Sequence, residues 1–263
     1  YLDIRDLFNE TMSEILKFPI IFIFLPIFSS IERFTFKSAN RINIVSSGFY
    51  EYISTIVKDT KNIRNFTNGI DNNFINSHYF KSKRKKGAKI KILFAGNIGE
   101  GQGLHKIIPF VAKKTEKIFT FQIIGDGGAL GKLIEQVKIN KVINVTIIKP
   151  VSREILKEYY KKTDALFVHL NNQKAFKKVI PSKLFEYASV GKPIIAGLDG
   201  VSREFLLKEI KGSVVFNPCD VKSFLIETDK MLNLEKFYDR TEFINKYSRK
   251  RIIKEMVSDF LTF

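Results

Sequence analysis

Lys183 and Glu186 are two charged side chains three residues apart in the stretch VIPSKLFEYASVGKPIIAGLDGVSRE, residues 179–204. A carboxylate such as Glu186 can accept hydrogen bonds from two hydroxyls of a ribose, and an ammonium such as Lys183 can meet a diphosphate. The spacing i, i+3 brings both to one face of a helix. An amphipathic surface helix carrying a Lys–Glu pair is the plainer reading, and the pattern alone leaves both open. Pro181 and Ser182 suit the first turn of that helix, and Leu184, Phe185, Tyr187 and Ala188 give it an apolar face. Gly191 ends it, Lys192-Pro193 turns the chain, and Ile194–Gly197 reads as a short buried strand. Gly197-Leu198-Asp199-Gly200 then leads into a further helix through Ser202, a strand–loop–helix order that presents backbone N–H groups to phosphates.

Glycine-rich loops form a second group of candidates. Gly96-Asn97-Ile98-Gly99-Glu100-Gly101-Gln102-Gly103 carries four glycines in eight residues, which lets backbone approach an anion closely. It lacks the Gly-Lys-Ser/Thr ending of a P-loop and the dinucleotide glycine spacing. Gly125-Asp126-Gly127-Gly128 repeats the theme one strand later. His105 and His169 sit at a helix start and a strand end; single histidines there are more often structural than catalytic. Cys219, the one cysteine, excludes a disulfide framework within the chain and fits a reducing compartment.

The elements that must position these residues alternate regularly from Ile90 onward. Strands are predicted at 90–95, 119–124, 145–148, 165–170, 194–197 and 213–216, with helices between them, and a helix over 221–232 follows. Such alternation argues for a doubly wound parallel α/β sheet. Upstream, a strand enters a helix at Asp3–Phe8, a second strand spans Arg41–Ser46 before a helix over 48–57, and a third spans Asn62–Phe66. Asn68-Gly69 supplies turn chemistry. Two helices are expected at the end, over 236–246 and 249–261. The basic run Lys81–Lys89 reads as a solvated linker. The apolar run Phe18–Phe28 carries Pro19 and Pro26 and is too short to span a bilayer, so it is either a buried helix or a surface that dips into one leaflet.

Composition sets outer bounds. The chain has 263 residues, 44% hydrophobic and 27% charged, enough for one large or two small domains with a real core. Lys and Arg exceed Asp and Glu by 44 − 27 = 17, which favours anionic partners. No RNA-recognition signature or helix-turn-helix stands out, and three His with one Cys argue against a metal site built on those ligands.

The string PSKLFEYASVGKPIIAG resembles the nucleotide-sugar-binding segment of GT-B glycosyltransferases, specifically family 4 enzymes of bacterial surface polysaccharides, of the N-acetyl-L-fucosamine transferase type found in O-antigen and capsule synthesis. The resemblance implies a GT-B Rossmann-like fold with a complete C-terminal donor domain and the late part of a second, N-terminal one. It places Glu186 on the donor ribose as the close of a Glu-x7-Glu motif, whose opening position is here Lys178. It makes Lys183 the cation for the leaving diphosphate, in a donor-binding segment with Pro181, Ser182 and Leu184. GNIGEGQGL resembles the family loop near the diphosphate, with Gly96, Gly99, Gly103 and, where relatives carry cations, Asn97 and Gln102. Gly125, Asp126 and Gly127 resemble the turn flanking the nucleotide, and Val151 stands where relatives bracket the base.

The expected domains are thus an N-terminal acceptor-domain remnant (1–80), a basic linker (81–89), a donor domain (90–240) and a tail packing back toward the N-terminal part (241–263). The implied reaction transfers a sugar, N-acetylated, from a uridine-diphosphate-type donor to a lipid-linked saccharide. No cofactor, metal or nucleic acid is expected. The protein would lie in the cytoplasm against an anionic membrane surface at the inner face of the cell membrane. A separate N-terminal half is a further expected partner, which would leave surfaces around Leu7, Ile21 and Ile44 uncovered. A nucleotide-binding remnant without activity and a GT-B nucleotide-sugar epimerase are the rival readings.

Overall fold

The computed structural model describes residues 1–10, 19–75 and 87–262, without the side chains of 19–23 and 75. Phe18 and most of the basic run, residues 81–86, lie outside the described residues. Two parallel sheets organise the chain. The larger has six strands, β4 (Ile90–Ala95), β5 (Phe119–Ile124), β6 (Val145–Ile148), β7 (Ala165–His169), β8 (Ile194–Gly197) and β9 (Ser213–Phe216), in the order β6-β5-β4-β7-β8-β9. The order reverses beside β4, so a crevice opens at the carboxyl ends of β4 and β7. Every residue of β7 and β8 is buried. Their near-continuous apolar sequences suit a sheet covered on both faces. One core lies under helix α5 (Lys183–Ser189) and the other under the helix Ile108–Lys114.

The smaller sheet has the order β1 (Leu2–Ile4), β2 (Ile42–Ile44), β3 (Ile63–Arg64). Helix α1 (Pro19–Ser38) covers part of it, with Phe36 buried beside Leu7, Ile44, Phe49 and Ile53. Leu7 and Ile44 are 3% and 1% exposed, so the surfaces expected to lack partners around these two are instead closed by this satellite core, while the side chain of Ile21 lies outside the described ones. From Pro19 onward the apolar run is part of a longer helix that continues through Pro26; no helix among the described residues is long and apolar enough to cross a membrane.

Several boundaries shift for identifiable reasons. The predicted helix over 48–57 shrinks to a short turn at Ser47–Phe49 and a helix at Tyr50–Ser54. The third strand keeps only Ile63–Arg64, because the buried Asn43 amide bonds both the N–H and the carbonyl of Phe66 in place of a ladder. The helix over 221–232 is divided at Glu227. The helix expected from 236 starts only at Thr241, since Tyr238 N–H must reach Gly191 O and the buried Arg240 guanidinium serves Lys211 O and Ala188 O.

The final helix, α7 in chain order after α2 (Ile108–Lys114), α3 (Leu130–Ile139), α4 (Arg153–Lys162), α5 and α6 (Gly200–Glu209), spans Arg249–Leu261. Its start is tied to the chain near β3, with Ile70 N–H on Tyr247 O and Arg249 N–H on Ile70 O. Asp259 near its end pairs with Arg41 at 2.6 Å and Arg64 at 2.7 Å.

Candidate functional site

Two cavities meet at Lys183. One, of about 330 Å³, is lined by Ile124, Gly125, Asp126, Pro150, Val151 and Leu156, with Ala95, Gly96, Asn97 and Lys183 on its inner side. The other, of about 430 Å³, lies between the sheets: Gly96, Asn97, Gln102, Pro181, Ser182 and Lys183 form one wall, and Arg5, Asp6, Val45 and Asn68 another. Both sit where β4, β5 and β7 end, the crevice that the strand order predicts.

The loops that shape this crevice are held largely by their own backbone. Gly96 N–H bonds Ile124 O and Ile98 N–H bonds Asp126 O, which clips the loop after β4 to the loop after β5. Gly125 lies where this clip is tightest: its φ is +152°, and a Cβ there would fall 1.9 Å from Gly96 O. Gln102 accepts from Gly99 N–H through its side chain, and Gly103 N–H turns back onto Gly99 O and Glu100 O. These amides are therefore spent within the loop. Gly99, Gly103 and Gly127 shape the loops and line neither cavity.

Helix α5 carries the charged pair. Its apolar face is buried, and Leu184 is part of the core with its N–H on Pro181 O. The side chain of Leu184 therefore packs beneath the crevice and does not line either cavity. Ser182 stands at the N-cap without a side-chain cap bond, so its hydroxyl is not committed to the helix start. Lys183 Nζ lies 3.0 Å from Glu186 Oε2, and the Tyr160 hydroxyl donates to Glu186 Oε1. Tyr187 braces the base of the pair: its hydroxyl accepts from Ala95 N–H at 2.8 Å, and its ring lies 5.7 Å from Lys183 Nζ. Burial raises the Tyr187 hydroxyl pKa well above its ordinary value, in keeping with a neutral brace.

The strand–loop–helix after β8 is not a phosphate site. Asp199 caps Gly200 N–H at 2.8 Å and pairs with Lys177 at 2.7 Å, so a carboxylate already closes the start of α6. Lys178, at the opening position of the motif, faces the smaller sheet: its Nζ lies 2.7 Å from Glu10 and 5.6 Å from the centre of the Tyr52 ring.

His169 lines the larger cavity yet has no nitrogen to offer. Nδ1 lies 2.6 Å from Gln102 O and Nε2 accepts from Cys219 N–H at 2.9 Å. Full burial lowers its pKa to about 4, so the ring is neutral and structural. Gly197 gives it room, since a Cβ there would fall 2.2 Å from His169 Cδ2. His105 lines neither cavity; burial lowers its pKa although Glu100, 3.7 Å away, pulls the other way.

Sequence reasoning missed Tyr160, Arg5, Asp6 and Asn68. Arg5 and Asp6 directly follow β1 at its carboxyl end, the same positional signal used for the later loops. Tyr160 lies 26 residues from Glu186 and carried no such signal.

Residues 76–251 match the family model described as glycosyl transferases group 1. The chain belongs to this family. A stretch of 102 residues is 33% identical to WcaI of Escherichia coli K12, which bears the name of a colanic acid biosynthesis glycosyl transferase; it covers 38% of this chain and 24% of WcaI. Among solved structures, the lipopolysaccharide outer core galactosyltransferase WaaB superposes with a TM-score of 0.66 at 16% identity, over 85% of this chain and 62% of WaaB. Anabaena HepE, solved with UDP and glucose, gives 0.65 at 14% identity, over 86% and 64% of the two chains. The chain thus spans under two thirds of each of these relatives. Their likeness establishes the GT-B fold, and in this family member the crevice beside β4 is where the two sheets face one another.

Proposed function

We propose that the crevice around Lys183 binds a nucleoside-diphosphate sugar. The observation that carries this reading is the meeting, on one short helix, of a cation and a carboxylate, with the clipped glycine loops of β4 and β5 between two cavities. The smaller cavity, with Val151, Pro150, Leu156 and Ile124, suits a base, and Glu186, which lines neither cavity itself but is paired with Lys183 that lines both, suits the ribose. Lys183, with Gly96 and Asn97 beside it, suits the diphosphate. HepE has been solved with UDP and with UDP-glucose, which supports a uridine donor. The cavity between the sheets then receives the sugar and its acceptor, with Arg5, Asp6 and Asn68 on the acceptor side.

On this reading residues 90–240 bind the donor, 1–80 supply the acceptor wall, 81–89 link them and 241–263 return to the acceptor part. The reaction is transfer of an N-acetylated sugar to a lipid-linked saccharide in surface polysaccharide synthesis. Rate acceleration comes from alignment in the crevice and from Lys183 opposing charge on the departing diphosphate. Work at a cytoplasmic membrane surface is supported by α1, whose Phe24, Ile27, Ile31 and Phe34 form an exposed stripe beside Arg33 and Lys37.

Calorimetry with UDP tests the reading. Micromolar to millimolar binding is expected, and Glu186→Ala should weaken it by about 1.5–3 kcal/mol, the worth of charge-assisted hydrogen bonds. A folded sample that binds no nucleoside diphosphate refutes the donor site. A folded Glu186→Ala variant with unchanged affinity returns that carboxylate to a surface role.

A further inference from the structure

We infer that Lys183 and Glu186 form an exchange pair that couples recognition of the diphosphate to recognition of the ribose, with Tyr160 as the residue that holds the carboxylate in place; this rests on the nucleotide reading above. The two oxygens of Glu186 are divided between two partners. Oε1 accepts from the Tyr160 hydroxyl, and Oε2 holds the Lys183 ammonium at 3.0 Å. Each oxygen has room for a second hydrogen bond, but a ribose at Glu186 meets oxygens already drawn toward Lys183 and Tyr160, and it binds more strongly once one of these partners withdraws.

The two partners differ in their freedom to yield. Tyr160 is fully buried, with its ring edge-on to Tyr187 at 6.0 Å and tilted against Phe74 at 6.2 Å. Withdrawing its hydroxyl would mean repacking a core aromatic. Lys183 keeps 28% of its side chain exposed, its stem runs beside Gly96, and it lines both cavities. A flexible four-carbon stem can turn toward an anion in the crevice without moving the helix. Lys183 is thus the partner that leaves, and Oε2 the oxygen that becomes available.

A destination makes the difference. A nucleoside alone displaces the ammonium from Oε2 and gives it nothing in return. A nucleoside diphosphate brings the anion that receives it, so the ribose finds a vacated oxygen. The two ends of the ligand then bind cooperatively through one moving cation, and Tyr160 keeps Oε1 from following it.

The test compares UDP with uridine on the whole chain, by calorimetry for UDP and ligand-observed NMR for uridine. If the wild type prefers another nucleoside diphosphate, that ligand and its nucleoside are used. Lys183→Ala should weaken UDP by about tenfold or more while tightening uridine by about threefold, because Oε2 is freed in advance. Tyr160→Phe should weaken both ligands by a similar factor, since the carboxylate is then free to turn both oxygens toward Lys183. Lys183→Gln checks the same opposite signs if the alanine variant does not fold. Uridine affinity that is unchanged or lower in both Lys183 variants overturns the exchange while leaving the donor site intact. Wild-type protein that binds no nucleoside diphosphate overturns the donor site itself, and the exchange with it.

Discussion

In the larger sheet β4 and β5 pair over six residues, whereas in the smaller sheet β2 and β3 pair over two. The larger sheet is walled by two extensive cores, the smaller by one satellite core with nine buried residues among those described. The outer edge of β1 has no partner strand among the described residues. The same parallel arrangement thus gives a rigid platform in one region and a thin wall in the other. A precise constellation needs neighbours that over-determine it, and Lys183, Glu186 and the clipped loops stand on the platform. The smaller sheet contributes Arg5, Asp6, Val45 and Asn68 from across the crevice. It is tied to the rest of the chain by ion pairs of Asp259 with Arg41 and Arg64 and of Lys178 with Glu10, by the Ser46 hydroxyl on Lys178 O, and by the backbone bonds of Ile70 with Tyr247 and Arg249.

The sharpest break in the platform is Gly125→Ala. Both the positive φ and the 1.9 Å approach to Gly96 O resist a Cβ, so the clip between the β4 and β5 loops must open. A loss of about 3 kcal/mol or more in folding stability is expected, with loss of nucleotide binding. Gly131→Ala in α3 is its control: a Cβ there meets nothing within 4 Å, and about 0.5–1 kcal/mol of stabilisation should follow. Denaturant midpoints that move alike for both would refute the loop argument.

Acid should act on the platform next. The folded pKa of His169 is about 4 while the unfolded ring titrates near 6.5, so the unfolded state binds the proton first as pH falls. The stability held above pH 6.5 is then lost between about 6.5 and 4, by up to about 3 kcal/mol. His169→Gln should flatten that part of the stability–pH curve, whatever it costs at pH 7. A curve equally steep in the variant would mean that other groups carry the acid response.

The smallest effect is expected on the thin wall. Flotation with anionic liposomes should fall when Phe24 and Phe34 become Ser, and fall with added salt, because apolar insertion and attraction to charged lipid reinforce each other. A several-fold loss of bound protein would mark the smaller region as the membrane face. Recovery that is the same on neutral vesicles at every salt concentration removes the electrostatic half of that proposal.

Much of the platform could be read directly from the chain. Buried strands such as Ile194–Gly197 are short apolar runs closed by glycine, and their limits matched because local pattern and tertiary burial agree there. The family string around Lys183 and Glu186 was equally visible. Sequence determined which residue types reach the carboxyl edge of the sheet, since strand–loop–helix order alone fixes that placement. Tertiary structure decided how they are used. It gave Asp199 to Lys177 and so closed a helix start that looked open to phosphate, and it spent both nitrogens of His169 on backbone. It set Tyr160 on Glu186 and brought Arg5 and Asp6 across the crevice. These pairings join residues far apart in sequence, and which partner a polar group finds depends on packing that no local pattern encodes.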